Sequence, residues 1–374
     1  MYANQTVGQI KLDATTEDNF FNRIRRSRTW VTLTNWEYWP MWAANLPLAI
    51  IVLGYAIRAR RLFFFSAVNP VIETGGAWGE SKFNILRRIP DNHVPATILV
   101  KKGTDFQAVM QRMQEVGLTD WPVIAKPDVG ERGFLVTKIK DEAALRDYLS
   151  NNPIDFLVQK FVELPLELAV LCHRMPGSRK TTITSICIKE TLKVTGDGHS
   201  TIRQLMQGSD RARLQLARFE AEQPALMRHV PSPGQSLELE PIGNHCRGTM
   251  FLNGNHHIDE ELTSVFQEVL SQMDSIHYGR FDFKCDSIEQ LRTTGEFKVM
   301  EFNGIGAEPA HIYDPAYPIL DKYRDIYNQW KVIFRIYKIQ AANGVQSMTT
   351  KEGIQRIKEY MAYKKSISSA TIDQ

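Results

Sequence analysis

Two short segments, nineteen residues apart, constrain this chain most: Arg280-Phe281-Asp282 and Glu301-Phe302-Asn303. In a strand, residues i and i+2 share a face. Glu301 and Asn303 therefore point one way together, as do Arg280 and Asp282. If the two strands pair, one face carries two carboxylates, an amide and an arginine. Hard oxygen donors of this kind suit magnesium, which keeps several waters and takes its other ligands from carboxylates and substrate phosphates. The competing reading is a solvent-facing sheet laced with salt bridges.

A second feature lies upstream. Pro122-Val123-Ile124-Ala125-Lys126-Pro127 reads as a short buried strand, and the glycine loop Asp128-Val129-Gly130-Glu131-Arg132-Gly133 follows. A lysine on a buried strand is costly without an anion to pair with. Two glycines let backbone N–H groups turn towards a phosphate. A plain hairpin with a surface lysine is the alternative. Arg132 reaches a terminal phosphate or is solvated, and Lys82 is equally ambiguous by itself. Next, Phe156 to Val162 reads as a strand that exits into a turn marked by Pro165. Such an edge offers backbone groups to a purine, and Glu167 can hold ribose hydroxyls. An interdomain hinge with surface acids is the other reading.

Around these, Thr104 followed by Gln107 reads as a capping box. Phe106, Val109, Met110 and Met113 then repeat at helical spacing, and Gly117 stops the helix. Further strands are expected at 134–136, 166–171, 181–188, 192–195, 281–283 and 298–302, with a tight turn at Gly196-Asp197-Gly198. A helix is expected at 141–149. Leu262, Val265, Phe266, Val269, Leu270, Met273 and Ile276 form a second apolar stripe, ending near Tyr278-Gly279. Strands and helices mix without strict alternation, which favours α+β. After about Met348 the tail is polar, and its last ten residues are expected to be mobile.

Length and composition set outer limits. At 374 residues the chain holds two to three domains. Hydrophobic residues at 43% and charged residues at 23% exclude a disordered, collagen-like or polytopic membrane protein. A net charge of +3 is too small to argue for nucleic acid. Four cysteines (172, 187, 246, 285) lie far apart, so a reducing compartment is the simpler reading. Residues 1–90 carry 11 Lys/Arg against 6 Asp/Glu; the remainder carries 34 against 36. Met1 to Asn19 is polar and does not read as a signal peptide.

The basic N-terminal part is unlike the rest. Arg23, Arg25, Arg26 and Arg28 precede Trp30, Trp36, Tyr38, Trp39 and Trp42. An uncharged stretch of 20 residues, 38–57, follows, then Arg58, Arg60, Arg61 and Leu62-Phe63-Phe64-Phe65. Pro40, Asn45 and Pro47 interrupt it, which argues against a membrane span. A membrane-surface helix through residues 23–65 and a buried helix covered by the larger domain both remain open.

Several side chains can hold an acid or an amine. Arg174, Arg211 and Arg247 can clamp a carboxylate bidentately, or sit on the surface. His199 and His311 flank the proposed site as candidate bases. Glu308 lies just beyond the metal pair. His256-His257 follows the turn Asn253-Gly254, but neighbours on a strand point to opposite faces.

In this order, the set resembles the ATP-grasp superfamily over about residues 75–340. The matching pieces are Ser81-Lys82, the 122–127 strand with its glycine loop, Gln159-Lys160-Phe161-Val162 with Glu167, Gly279-Arg280-Phe281-Asp282 and Met300-Glu301-Phe302-Asn303. D-alanine–D-alanine ligases share the Gly-Arg-x-Asp and Glu-x-Asn arrangement. Cyanophycin-synthetase-like ligases share Val194 to Ile202. The residues after Asn303 depart from the Thr-x-Pro-Gly of D-alanine ligases, so nucleotide chemistry carries over better than substrate identity.

The resemblance implies an ATP-grasp fold, two α+β lobes sandwiching ATP, spanning 76–163 and 164–345 between an atypical segment 1–75 and a tail 346–374. It implies that Lys82, Lys126 and the Gly130–Gly133 loop with Arg132 bind phosphates. Gln159 and Lys160 would belong to the same cofactor-binding set, Phe161 and Val162 would meet adenine, and Glu167 the ribose. Asp282, Glu301 and Asn303 would hold one or two Mg2+ ions, for which Mn2+ can substitute. Arg280 would face an acyl phosphate. The implied activity is a cytoplasmic, ADP-forming carboxylate–amine ligase acting on an amino acid or peptide. The alternatives are an ATP-binding protein at the inner membrane face without turnover, and a kinase that stops at phosphoryl transfer. Which acid, which amine and which oligomeric state are not legible.

Overall fold

The computed structural model describes residues 41–130, 135–240, 243 and 247–372. Sequence expectations at Arg132, Gly133, Cys246 and residues 1–40 lie outside the described residues. The chain divides into two compact units: one contains residues 191–249, the other residues 45–190 and 250–374.

The first helices are α1 (Met41–Ala59), which belongs to the larger unit from Asn45 on, and the single turn α2 (Lys82–Leu86). A first sheet then forms from β1 (Thr97–Val100), β2 (Val123–Pro127), β3 (Thr137–Ile139) and β4 (Phe156–Lys160), with α3 (Phe106–Glu115) and α4 (Glu142–Asn151) between them. Its order is β1-β4-β2-β3, antiparallel throughout. Phe106, Val109 and Met113 of α3 and Leu145 of α4 close a core over Val100, Val123, Ala125 and Val158. Burying each large apolar side chain contributes roughly 1.5–3 kcal/mol, which holds a small sheet that could not stand alone.

The helix start differs from the expected capping box. Asp105 is the N-cap, accepting from the Gln107 and Ala108 N–H groups. The Thr104 hydroxyl instead donates to the Lys101 carbonyl at 2.7 Å. An ionised carboxylate one residue later is the better partner for the positive helix end. The strand expected at 134–136 lies at Thr137–Ile139.

The second sheet includes β5 (Leu166–Arg174) and β6 (Thr181–Glu190). The chain then leaves for the smaller unit, through β7 (Leu192–Thr195), helices α5 (Ile202–Gln207), α6 (Asp210–Glu222) and α7 (Pro224–Met227), and β8 (Ser236–Glu240). It returns through β9 (Met250–Asn253), α8 (Glu260–Gln272), β10 (Tyr278–Cys285), α9 (Ile288–Thr294) and β11 (Lys298–Asn303). The second sheet has the order β11-β10-β5-β6-β9. Phe281, Phe283, Leu168, Val170, Ile186 and Phe302 bury one face under Leu262, Phe266, Val269 and Leu270 of α8. That helix ends at Gln272, before the expected Tyr278-Gly279, because Tyr278 already opens β10.

In the smaller unit β7 pairs with β8, and Ile202, Met206, Ala212, Phe219 and Met227 pack against Leu192, Val194 and Leu239. The expected turn at 196–198 is there. A Cβ on Gly196 would lie 2.3 Å from the Ser232 carbonyl oxygen, so only glycine fits. Asp197 accepts from the Ser200 hydroxyl and from the Ser200 and His199 N–H groups, and such bonds hold its carboxyl well below the usual range.

The segment 63–69 and the helix after Thr349 both pack within the larger unit. Phe64 and Val68 are fully buried. The Asn69 side chain donates to the Tyr278 carbonyl at 2.8 Å and accepts from the His277 and Tyr278 N–H groups. The polar tail is helical over the described residues. After α10 (Ile319–Ala342), α11 (Thr350–Ile372) packs Gly353 on the Phe63 ring and donates the Tyr363 hydroxyl to the Val129 carbonyl at 2.9 Å. Its contacts run along one narrow stripe, too thin for composition to reveal. No described helix is long and apolar enough to cross a membrane. The class is α+β with antiparallel sheets, as the mixed pattern suggested.

Candidate functional site

The apolar face of the second sheet lies in the core; its other face carries the charged groups. Asp282 stands opposite Glu301, and Arg280 opposite Asn303, in the β10–β11 ladder. All four share one face, as the i, i+2 spacing required. Arg280 grips Asp282 with two bonds, Nε to Oδ1 at 2.8 Å and Nη2 to Oδ2 at 3.0 Å. Asn303 Nδ2 adds a third bond to Asp282 Oδ2 at 3.1 Å. Burial pushes the Asp282 carboxyl up. The Arg280 guanidinium and the Lys189 ammonium outweigh it and hold the group below its ordinary value.

Lys189 was missed from the sequence. It sits opposite Glu167 in the β5–β6 ladder, bonds Glu167 Oε1 at 2.9 Å and lies 3.9 Å from Asp282 Oδ2. Burial pulls this lysine down, but the two carboxylates prevail and raise it above its usual value. The signal was available: Ser185, Cys187 and Lys189 alternate onto the face that Glu167 and Asp282 share. The expected strand stopped at 188, two residues before its end at Glu190.

The first sheet and the α2 turn supply two further cations. Lys126 is buried, and its ammonium donates to Gln159 Oε1 at 2.8 Å and across to the Met300 carbonyl on β11 at 2.7 Å. Burial pushes it down to about 8, against the attraction of Glu301 and with the repulsion of Lys82. Gln159 in turn donates to the Thr97 hydroxyl at 3.0 Å, so its side chain positions Lys126. Lys82 lies 3.3 Å from Glu301 Oε1 and also donates to the Gly130 carbonyl. Ser81 caps α2 and donates to Asp128 Oδ1, which also accepts from the Phe83 N–H. The α2 turn and the start of the glycine loop are thereby fastened together.

Between the sheets runs the segment 161–165. Lys138 lies 3.8 Å from the centre of the Phe161 ring, and Lys284 donates to the Val162 carbonyl at 3.3 Å. The Lys160 side chain is exposed. Just after Glu301 and Asn303, Gly304 meets Gly76 backbone to backbone. A Cβ on Gly304 would lie 2.5 Å from the Gly75 carbonyl oxygen, and the Ile305 and Gly306 N–H groups bond the Gly75 and Gly76 carbonyls.

No family model matches the chain. No curated protein matches it either. Among solved structures it is similar to the VanG D-Ala:D-Ser ligase from Enterococcus faecalis, at 12% identity and a TM-score of 0.40, over 68% of this chain and 61% of that one. It is similar to a D-alanine–D-alanine ligase from Bacillus anthracis, at 13% identity and a TM-score of 0.39, over 70% and 68%. A third is a bifunctional glutathione synthetase from Pasteurella multocida, at 14% and 0.37, over 70% and 38%. The chain thus spans about six tenths of the VanG ligase's length.

The other expected residues divide. The Arg280 guanidinium donates to the Glu308 carbonyl at 3.1 Å, while the Glu308 carboxylate accepts from the Tyr313 hydroxyl. His311 is buried between Ser185 Oγ at 2.8 Å and Asp325 Oδ2 at 3.1 Å, and burial lowers its pKa. Arg174 ends β5 seven residues from Glu167, about 23 Å along the strand, so it does not join this cluster. His199, Arg211 and Arg247 belong to the smaller unit. There His199 lies 3.3 Å from Asp197, Arg211 bonds the Thr249 carbonyl and Arg247 lies 3.6 Å from Glu240.

The chemistry of the cluster follows from its charges. Lys82, Lys126, Lys189, Lys284 and Arg280 face Glu167, Asp282 and Glu301, five cations against three anions. That surplus favours a polyanion. Among the described residues no three His, Cys, Asp or Glu side chains gather for a metal. The hard-oxygen set is two carboxylates and the Asn303 amide, a set that fits magnesium sharing its shell with phosphate and water.

Proposed function

We propose that the protein is an ADP-forming, ATP-dependent carboxylate–amine ligase of the ATP-grasp type, acting on an amino acid or peptide. The observation that carries this is the meeting of two sheets at one charged cluster. Asp282, Glu301 and Asn303 come from one sheet. Lys126 reaches β11 from the other, and Lys82 arrives from the α2 turn beside it.

Lys82, Lys126 and Lys189 bind the triphosphate, and segment 161–165 meets the adenine. Asp282, Glu301 and Asn303 hold Mg2+, which when bound neutralises charge on the transferring phosphoryl group. A substrate carboxylate is a poor electrophile at neutral pH. Its oxygen takes the γ-phosphoryl group, the bond to the β-phosphate oxygen breaks, and ADP departs. An amine attacks the acyl carbonyl, inorganic phosphate leaves, and the amine gives up a proton. Arg280, held in line by Asp282 and the Glu308 carbonyl, stabilises the oxyanion.

The test is release of ADP and phosphate when amino acids and amines are supplied together. Hydroxylamine added to the acid and ATP should trap a hydroxamate. A phosphorylated alcohol with no hydroxamate would replace the ligase by a kinase.

A further inference from the structure

α1 has two unlike sides. Its inner side chains, Leu48, Ile51, Val52, Tyr55 and Ala56, pack on the core that contains Phe64, Trp330 and Phe334. On the outer side Leu46, Ile50, Leu53 and Ile57 recur at spacings of four, three and four, which is one helical stripe. They are 58%, 66%, 54% and 68% exposed. Four large aliphatic side chains in a row on an open face are not the scattered apolar residues of an ordinary surface.

The charges around the stripe point to its partner. Exposed Arg58, Arg60 and Arg61 stand at its C-terminal end, followed by exposed Leu62. From Tyr38 to Ile72 there is no Asp or Glu at all. Arg58 lies against the Tyr55 and Phe334 rings and, with Tyr337 and Lys338 of α10, lines a depression of about 350 Å³. A second copy docked on the stripe would offer these arginines no carboxylate from its own α1. An anionic lipid surface offers both phosphates for the arginines and acyl chains for the stripe.

We propose that α1 lies in the plane of an anionic bilayer surface, with Leu46, Ile50, Leu53 and Ile57 among the acyl chains and Arg58, Arg60 and Arg61 on lipid phosphates. The helix binds on the surface and does not cross. The sequence left a surface helix and a buried helix as alternatives; the inner side of α1 is buried, and the proposal concerns its outer side.

The experiment is co-sedimentation of the full chain with vesicles of phosphatidylcholine alone and of phosphatidylcholine mixed with phosphatidylglycerol. The chain should pellet with the mixed vesicles only, and less so as salt rises. Ile50→Glu with Ile57→Glu should cut binding at least about tenfold. Arg60→Gln with Arg61→Gln should cut it about fivefold per arginine at low salt. Both variants should keep wild-type nucleotide binding, which shows that they are folded. Failure of the wild type to bind anionic vesicles, or equal binding by the isoleucine variant, overturns the proposal. So does a wild-type dimer that the isoleucine variant turns into monomers, with no vesicle binding; the face would then belong to a second copy.

Discussion

The Lys126 ammonium bonds the main-chain oxygen of Met300, one residue before Glu301. A strand of the first sheet is thereby pinned to β11 of the second by a buried cation. Burial has already brought this lysine down to about 8, so its charge is conditional, and a phosphate would stabilise it.

Nucleotide affinity should therefore depend on pH through Lys126. The folded-state pKa lies below the unfolded value, so the unfolded chain binds more protons between about 8 and 10.5. Without nucleotide, stability should rise with pH across that window. Nucleotide affinity should fall over the same window as the ammonium is lost. Lys126→Met should weaken binding and abolish that inflection, which titrations at several pH values would reveal.

Lys189 and Glu167 form a buried pair. Breaking it from one side leaves an uncompensated charge, so Lys189→Met should cost about 3–5 kcal/mol. The double variant Lys189→Met with Glu167→Gln should recover much of that loss in a denaturant melt. Additive losses would contradict the pairing.

Gly304 is held between the carbonyl of Gly75 and the backbone of Gly76. Gly304→Ala should destabilise by about 1–3 kcal/mol. It should also weaken magnesium-dependent binding, because the strain falls next to Asn303. Unfolding curves and titrations on one sample check both.

The Tyr363 hydroxyl reaches the glycine loop at Val129. Tyr363→Phe should lower stability by only about 1 kcal/mol while raising the KM for ATP several-fold. An unchanged KM would mean that α11 does not steady the loop.

Much of this site was legible because strand alternation is a short-range rule. The spacing of Arg280, Asp282, Glu301 and Asn303 sufficed to put them on one face, and the ladder brings them together as expected. Lys126 was legible as a buried cation needing a partner. What failed depended on long-range packing. Nothing local in Asn69 announces that it will bond strand β10 two hundred residues on. α11 is polar on most sides and depends on a few contacts such as Gly353 on Phe63. Lys189 was within reach, one step along an alternation already recognised. Arg174 stands apart from the cluster because a strand's length separates it from Glu167.

The most direct test is calorimetric titration of a non-hydrolysable ATP analogue with and without Mg2+, into wild type, Glu301→Gln and Asn303→Ala. Wild type should bind in a magnesium-dependent way, and each variant should lose at least about tenfold, roughly 1.4 kcal/mol, only when magnesium is present. Equal affinity in all three, or no dependence on the metal, would contradict the assignment of this cluster to a metal-bridged triphosphate.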